Sequence, residues 1–217
     1  MRNIKILGIS LLALLSISGV MAVSASADTL TATAYPAVLT GTSDGEFKDT
    51  LTTTAGAVSC PDIKYDATIT GPVTTAGLIS VTPTYPATGC TGFGFPTTIH
   101  HKSCVFQFRV LAGTAGTANL ECSGSDELTI TAISAGITKC TVHVKSQTDI
   151  PGTIKFTNTA GGGTVEANLT GIHYTHTQGT GLGACTAGTA NNGTLVMKAV
   201  FTAETHAGQP TGLLLSS

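Results

Sequence analysis

The sequence predicts an all-β fold, a disulfide-bonded β-sandwich of about ten short antiparallel strands, immunoglobulin-like or related. Three observations predict it. Segments with alternating apolar and polar residues recur between Gly, Pro, Asn and Asp clusters, and no stretch sustains a helical i, i+3, i+4 pattern. Of 217 residues, 40 are Thr, a β-branched residue whose hydroxyl suits the solvent face of a half-buried strand. The six cysteines are an even number with no C-x-x-C spacing, which fits bridges and not a zinc knuckle.

The chain opens with an export signal. Arg2 and Lys5 give the positive start, Ile6 to Val23 the apolar run, and Ala25-Ser26-Ala27 the small-residue cleavage site. Residues 1-27 are therefore expected to be removed, and residues 28-217 to form a single secreted β-sandwich domain with 8 basic and 12 acidic residues. Nothing after residue 27 is long and apolar enough for a membrane-spanning helix, so no integral membrane segment is expected after cleavage. The 11 aromatic residues are too few for the girdles of an outer-membrane barrel. With charged residues at 10% and a pI near 6.3, the chain has no basic field for a phosphate backbone, which argues against nucleic acid as a partner.

Along the exported part, Thr29 to Ala34 reads as an N-terminal edge strand and Thr40 to Asp44 as a polar loop. Ile63 to Ile69 alternates cleanly before the Gly71-Pro72 turn. Leu78 to Thr84, Ser103 to Leu111, Ala118 to Cys122, Glu127 to Ile133, Cys140 to Lys145, Thr153 to Thr157, Thr164 to His176 and Thr194 to Ala203 read likewise as strands. Gly161-Gly162-Gly163 reads as a hairpin turn. The expected core is Ile69, Val81, Phe106, Phe108, Leu120, Leu128, Ile130, Val142, Val144, Ile154, Phe156, Leu169, Ile172, Tyr174, Leu195, Met197 and Phe201.

Six cysteines allow 15 pairings. Parity narrows one of them: Cys104 shares a strand face with Phe106 and Phe108, Cys122 shares one with Leu120, and the Gly-rich turn Gly113 to Gly116 lies midway, so a hairpin brings the two together. Cys60 with Cys90 and Cys140 with Cys185 complete the set as guesses without such support.

Val81 to Cys90, Gly92-Phe93-Gly94-Phe95-Pro96, Ser103 to Phe108, Cys122 and Cys140 to Gln147 followed by Ile154 to Asn158 together resemble a group of secreted, six-cysteine, Thr/Gly-rich β proteins of soil actinobacteria. The resemblance spans roughly Cys60 to Cys185 and implies an exported, disulfide-bonded β protein; it implies no activity and supplies no catalytic residue.

The residues themselves mark no chemistry. Parity points His143 and His173 to solvent, His176 falls at a strand end, and opposite parity within one strand opposes metal sharing by His173 and His176. The histidines, His206 included, are read as exposed, with no metal or other cofactor expected. Asp44-Gly45 suits a turn and Asp126-Glu127 a strand start, so no glycosidase carboxyl pair about 5-9.5 Å apart is marked. Cys122-Ser123-Gly124-Ser125-Asp126 lacks the flanking glycines of a nucleophile elbow. The sequence thus reads as a secreted or cell-surface-associated structural or binding protein without catalytic activity, with cell-envelope polysaccharide or another surface protein as partner. The alternatives are an extracellular hydrolase or inhibitor acting through loop 88-101, with Phe93, Phe95, His100 and His101 as the candidate binding loop, and a fimbria-like subunit donating Asp28 to Thr54 as a strand.

Overall fold

A computed structural model describes residues 29–45, 48–74, 77–110, 115–159, 162–180, 185–205, 207–208 and 211–216. The expected signal with its cleavage site, Gly113-Thr114, Gly161 and His206 lie outside the described residues. Among the described residues there is no helix, and the strands are β1 (Thr29–Ala32), β2 (Ala37–Ser43), β3 (Asp49–Thr53), β4 (Gly56–Cys60), β5 (Lys64–Ile69), β6 (Val73–Thr74), β7 (Ile79–Thr84), β8 (Thr91–Gly92) and β9 (Phe95–His100). The remainder are β10 (Val105–Val110), β11 (Ala115–Glu121), β12 (Leu128–Ser134), β13 (Ile137–Val144), β14 (Gln147–Thr159), β15 (Gly162–Gln178), β16 (Gly188–Thr205) and β17 (Leu213–Ser216). All pairings are antiparallel, as expected of short alternating strands joined by turns.

The connectivity differs from two separate sheets facing each other. One hydrogen-bonded circuit runs β10–β11–β14–β15–β16–β2–β5–β7 and returns to β10. A second runs β15–β13–β12–β9–β8–β4–β3–β16 and closes through the same β15–β16 pair. Strands of 17 and 18 residues make this sharing geometrically simple, because each is long enough to serve one circuit with each half. β15 changes neighbour around Gly171, whose φ of 75° accompanies a break in register between Thr170 and Ile172. Above that bulge it pairs with β14, below it with β13. β16 makes the complementary exchange: Thr194–Val196 pair with β3 and Ala199–Thr205 with β2.

At this exchange point Asp49, only 5% exposed, begins β3. Its carboxylate accepts the Lys198 backbone N–H at 3.0 Å, the Ser43 hydroxyl at 2.8 Å and the Tyr65 hydroxyl. Lys198 falls between the two ladders of β16, so Asp49 supplies the acceptor that neither β2 nor β3 provides there.

All seventeen expected core residues are in place, with Phe106, Phe156 and Leu195 partly buried against the rest. The core also takes Leu39, Leu51, Val58 and Tyr65 from the N-terminal third. Thr40 to Ser43, expected as loop, belongs to β2, where buried Leu39, Gly41 and Ser43 alternate with exposed Thr40 and Thr42. Thr29–Ala32 is not an edge strand: β1 lies between β17 and β6 in a separate three-stranded sheet. The bridges are Cys60–Cys90, Cys104–Cys122 and Cys140–Cys185. Cys104 and Cys122 follow directly from the β10–β11 register, in which Val105 faces Glu121 and Phe106 faces Leu120.

Candidate functional site: a polar sheet face

β12 buries Leu128, Ile130 and Ala132 and turns Thr129 and Thr131 outward; β13 buries Cys140, Val142 and Val144 and turns out Thr141 and His143. β15 buries Ile172, Tyr174 and His176, leaving Thr175 and Thr177 outside, and β9 adds Thr98 and His100. Register aligns these side chains in two rows across neighbouring strands. One row reads His100–Thr129–His143–Thr175 and continues to Thr189 of β16. The other reads Thr98–Thr131–Thr141–Thr177. Neighbours within a row stand about 4.8 Å apart and the two rows about 6.7 Å apart, the spacing of strands and of alternate residues.

Across these rows runs a diagonal. His143 Nδ1 lies 2.6 Å from Glu127 Oε1, and His143 Nε2 lies 3.5 Å from Thr177 Oγ1. Glu127 precedes β12 and Thr177 sits two pairs beyond Thr175, so each is a diagonal neighbour of His143, a distance a long side chain can span. A carboxylate only accepts, so in the neutral ring Nδ1 carries the proton and Nε2 presents its lone pair to Thr177. The turn that places Glu127 is pinned. Asp126 N–H donates to the Ser123 carbonyl at 3.1 Å, and Ser103 Oγ donates to Asp126 Oδ2 at 2.7 Å beside the Cys104–Cys122 bridge. The Ser103 hydrogen bond first, and then Lys102 3.6 Å away, hold the Asp126 carboxyl below the usual range.

The other histidines take separate positions. His173 is exposed, as expected, but His176 is buried at 7%, against the expectation of exposure. β15 continues to Gln178, so alternation keeps His176 on the inner face with Ile172 and Tyr174, where its ring lies 5.0 Å from Tyr174 and Nε2 is 3.2 Å from Thr54 Oγ1. Its Nδ1 is buried without a hydrogen-bond partner.

Loop 88-101 is largely strand, since β8 and β9 form a hairpin with Phe93 and Gly94 at its turn. Phe93 and Phe95 pack against the core. His101 sits 6.0 Å from the Tyr85 ring and Nδ1 is 3.3 Å from the Cys104 carbonyl; His100 alone of the four joins the polar face. Glu127, Thr129, Thr131, Thr141, Thr175 and Thr177 escaped sequence reasoning. The available signal was the recurrence of Thr or His at alternate positions in four segments: Thr98-Ile99-His100, Thr129-Ile130-Thr131, Thr141-Val142-His143 and Thr175-His176-Thr177.

No group of three or more His, Cys, Asp or Glu among the described residues is arranged to hold a metal ion. No described helix is long and apolar enough to cross a membrane. A cavity of about 60 Å³ lies in the core where the circuits meet, lined by Leu169, Ile172, Leu195 and Met197 and by Asp49 and Tyr65 at a polar end. Burial pushes the Asp49 carboxyl up, against the lowering pull of Tyr65, Ser43 and Lys198. It also pushes the Tyr65 hydroxyl up, helped by the charge of Asp49.

Fold and site together define a disulfide-bonded, all-antiparallel β protein with a hydroxyl- and imidazole-bearing sheet face. No family model, curated protein or solved structure matches the chain.

Proposed function

We propose that this chain is a secreted or cell-envelope binding protein, not an enzyme, and that its outer β9–β12–β13–β15 face holds an uncharged, polyhydroxylated polymer such as an envelope polysaccharide. The observation that carries this reading is the pair of register-aligned rows of Thr and His. A surface of regularly spaced donors and acceptors matches a ligand that repeats hydroxyl groups, and each added repeat raises overall avidity without a new kind of contact. The three bridges suit an oxidising compartment, which is where such a polymer is met. Strand donation is less favoured: the segment 29–54 supplies β1, β2 and β3, each already paired on both sides.

The test is co-sedimentation of the oxidised protein with a panel of insoluble polysaccharides. Retention on at least one polymer is expected, reduced tenfold or more (about 1.4 kcal/mol) by Thr131→Lys with Thr141→Lys and unchanged by Thr82→Lys on the other circuit. Equal retention of both variants, or no retention of the parent protein, overturns the reading.

A further inference from the structure

Among the many threonines one stands apart. Thr177 is the hydroxyl in reach of an imidazole nitrogen whose opposite nitrogen is held by a carboxylate. The comparison lies within the same molecule: Thr54 also meets a histidine, His176, at 3.2 Å, but His176 Nδ1 has no partner, and the Thr54 hydroxyl also receives the Tyr174 hydroxyl at 3.3 Å. His176 has no group that fixes its tautomer; His143 has Glu127. The Glu127–His143–Thr177 line reaches solvent, with the Glu127 and His143 side chains 22% and 25% exposed and Thr177 on the outer face.

We propose that Thr177 is an acyl-accepting hydroxyl, taking the acyl group of a carboxylic ester with His143 as its general base. Thr177 Oγ1 bonds to the ester carbonyl carbon while its proton passes to His143 Nε2. The tetrahedral adduct then collapses, the bond to the alkoxy oxygen breaks, and that oxygen leaves with the proton as an alcohol. Glu127 is a positioning residue: it keeps the proton on Nδ1 and stabilises the imidazolium formed midway. The Thr141 hydroxyl, in register with Thr177 on the neighbouring strand, is a side-chain donor available to the developing oxyanion. Among the described residues the β15 backbone at Thr175 and His176 is paired on both sides, with β13 and β16, and supplies no pair of free N–H groups as an oxyanion hole. The consequence is a single stoichiometric transfer that leaves an acyl-threonine, a covalent event added to the binding role and independent of any polymer.

The experiment incubates the full, oxidised protein with p-nitrophenyl acetate and reads p-nitrophenol release together with peptide mass spectrometry. One acetyl per chain on Thr177 is expected, absent in Thr177→Val and restored on residue 177 in Thr177→Ser. Loss of the base in His143→Gln slows labelling roughly 100-fold, and Glu127→Gln slows it in the same direction. Intact bridges in non-reducing mass spectra and an unchanged circular-dichroism spectrum certify each variant's fold. Acetyl found on lysines or on His143, no acetyl at all, or equal labelling of His143→Gln overturns the proposal. Because the probe is a small soluble ester, each of these results leaves the polysaccharide experiment unaffected.

Discussion

Replacing Asp49 by Ala removes the acceptor shared by Lys198 N–H, the Ser43 hydroxyl and the Tyr65 hydroxyl, at a site 5% exposed. A buried donor left unpaired costs roughly 1–3 kcal/mol. Ser43 Oγ keeps the Ile63 carbonyl at 3.4 Å, but the Lys198 N–H lies between two ladders and has no substitute, so the total should fall near 3–5 kcal/mol. Asp49→Asn retains an oxygen for Lys198 and offers an amide to the two hydroxyls, which accept as readily as they donate; about 1 kcal/mol is expected. The pH dependence separates the two effects. Burial raises the folded-state pKa of Asp49 above 3.8, so the native protein binds this proton more tightly than the unfolded chain. The linked stabilisation is complete below 3.8 and is lost as pH rises through the raised value. Urea unfolding at a series of pH values with bridges intact should therefore show Asp49→Asn gaining relative to the parent protein as pH rises from 4 toward neutrality. Parallel pH profiles for the two proteins, or an Ala variant within about 1 kcal/mol of the parent, would refute the reasoning.

Chain-entropy loss ranks the bridges. Replacing Cys140 and Cys185 by Ala, which opens a separation of 45, should cost about 4 kcal/mol, and opening Cys104–Cys122, separation 18, about 3 kcal/mol, read from thermal or urea midpoints. Gly162→Ala would set a Cβ 1.9 Å from the Phe201 carbonyl oxygen within the shared hairpin, and a loss of about 1–3 kcal/mol is expected in the same assay. Gly171→Ala meets no close atom but must hold φ near 75°, so it should lose about 1–2 kcal/mol.

The sequence made the strands legible wherever an aliphatic or aromatic residue fell on alternate positions, as in Ile63 to Ile69 or Glu127 to Ile133. It concealed β2, β3, β4, β8 and β9, where Gly, Thr and Ser replace the apolar beat, and the short β6 and β17. In β2, for instance, the buried inner positions after Leu39 are Gly41 and Ser43. Parity reports which residues face inward but not how far around a sheet continues, so closure into two circuits was out of reach; it depends on pairs such as Leu39 with Ala203, far apart in the chain. Cys104 with Cys122 was legible because hairpin register is local. The candidate site was half legible: the outward direction of His143 followed from its neighbours, but its contacts with Glu127 and Thr177 arise from diagonal proximity across three strands. His176 was misread because it was placed at a strand end, whereas β15 runs on to Gln178 and keeps it on the face of Ile172 and Tyr174.

The hairpin common to both circuits also sets the order in which the molecule can be completed. A chain emerging from the ribosome presents β2 and β3 early, yet both must wait for β16, whose last residues are made some 160 positions later. Until then neither ring can close, and β2, β3 and β15, the strands that flank β16, each keep an open edge toward the solvent. Folding is therefore expected to be post-translational, slow in the manner of strongly non-local β topologies, and vulnerable to edge-to-edge aggregation in the interval. A nascent chain truncated before Gly188 should remain protease-sensitive throughout, and the addition of β16 should confer resistance on both circuits together.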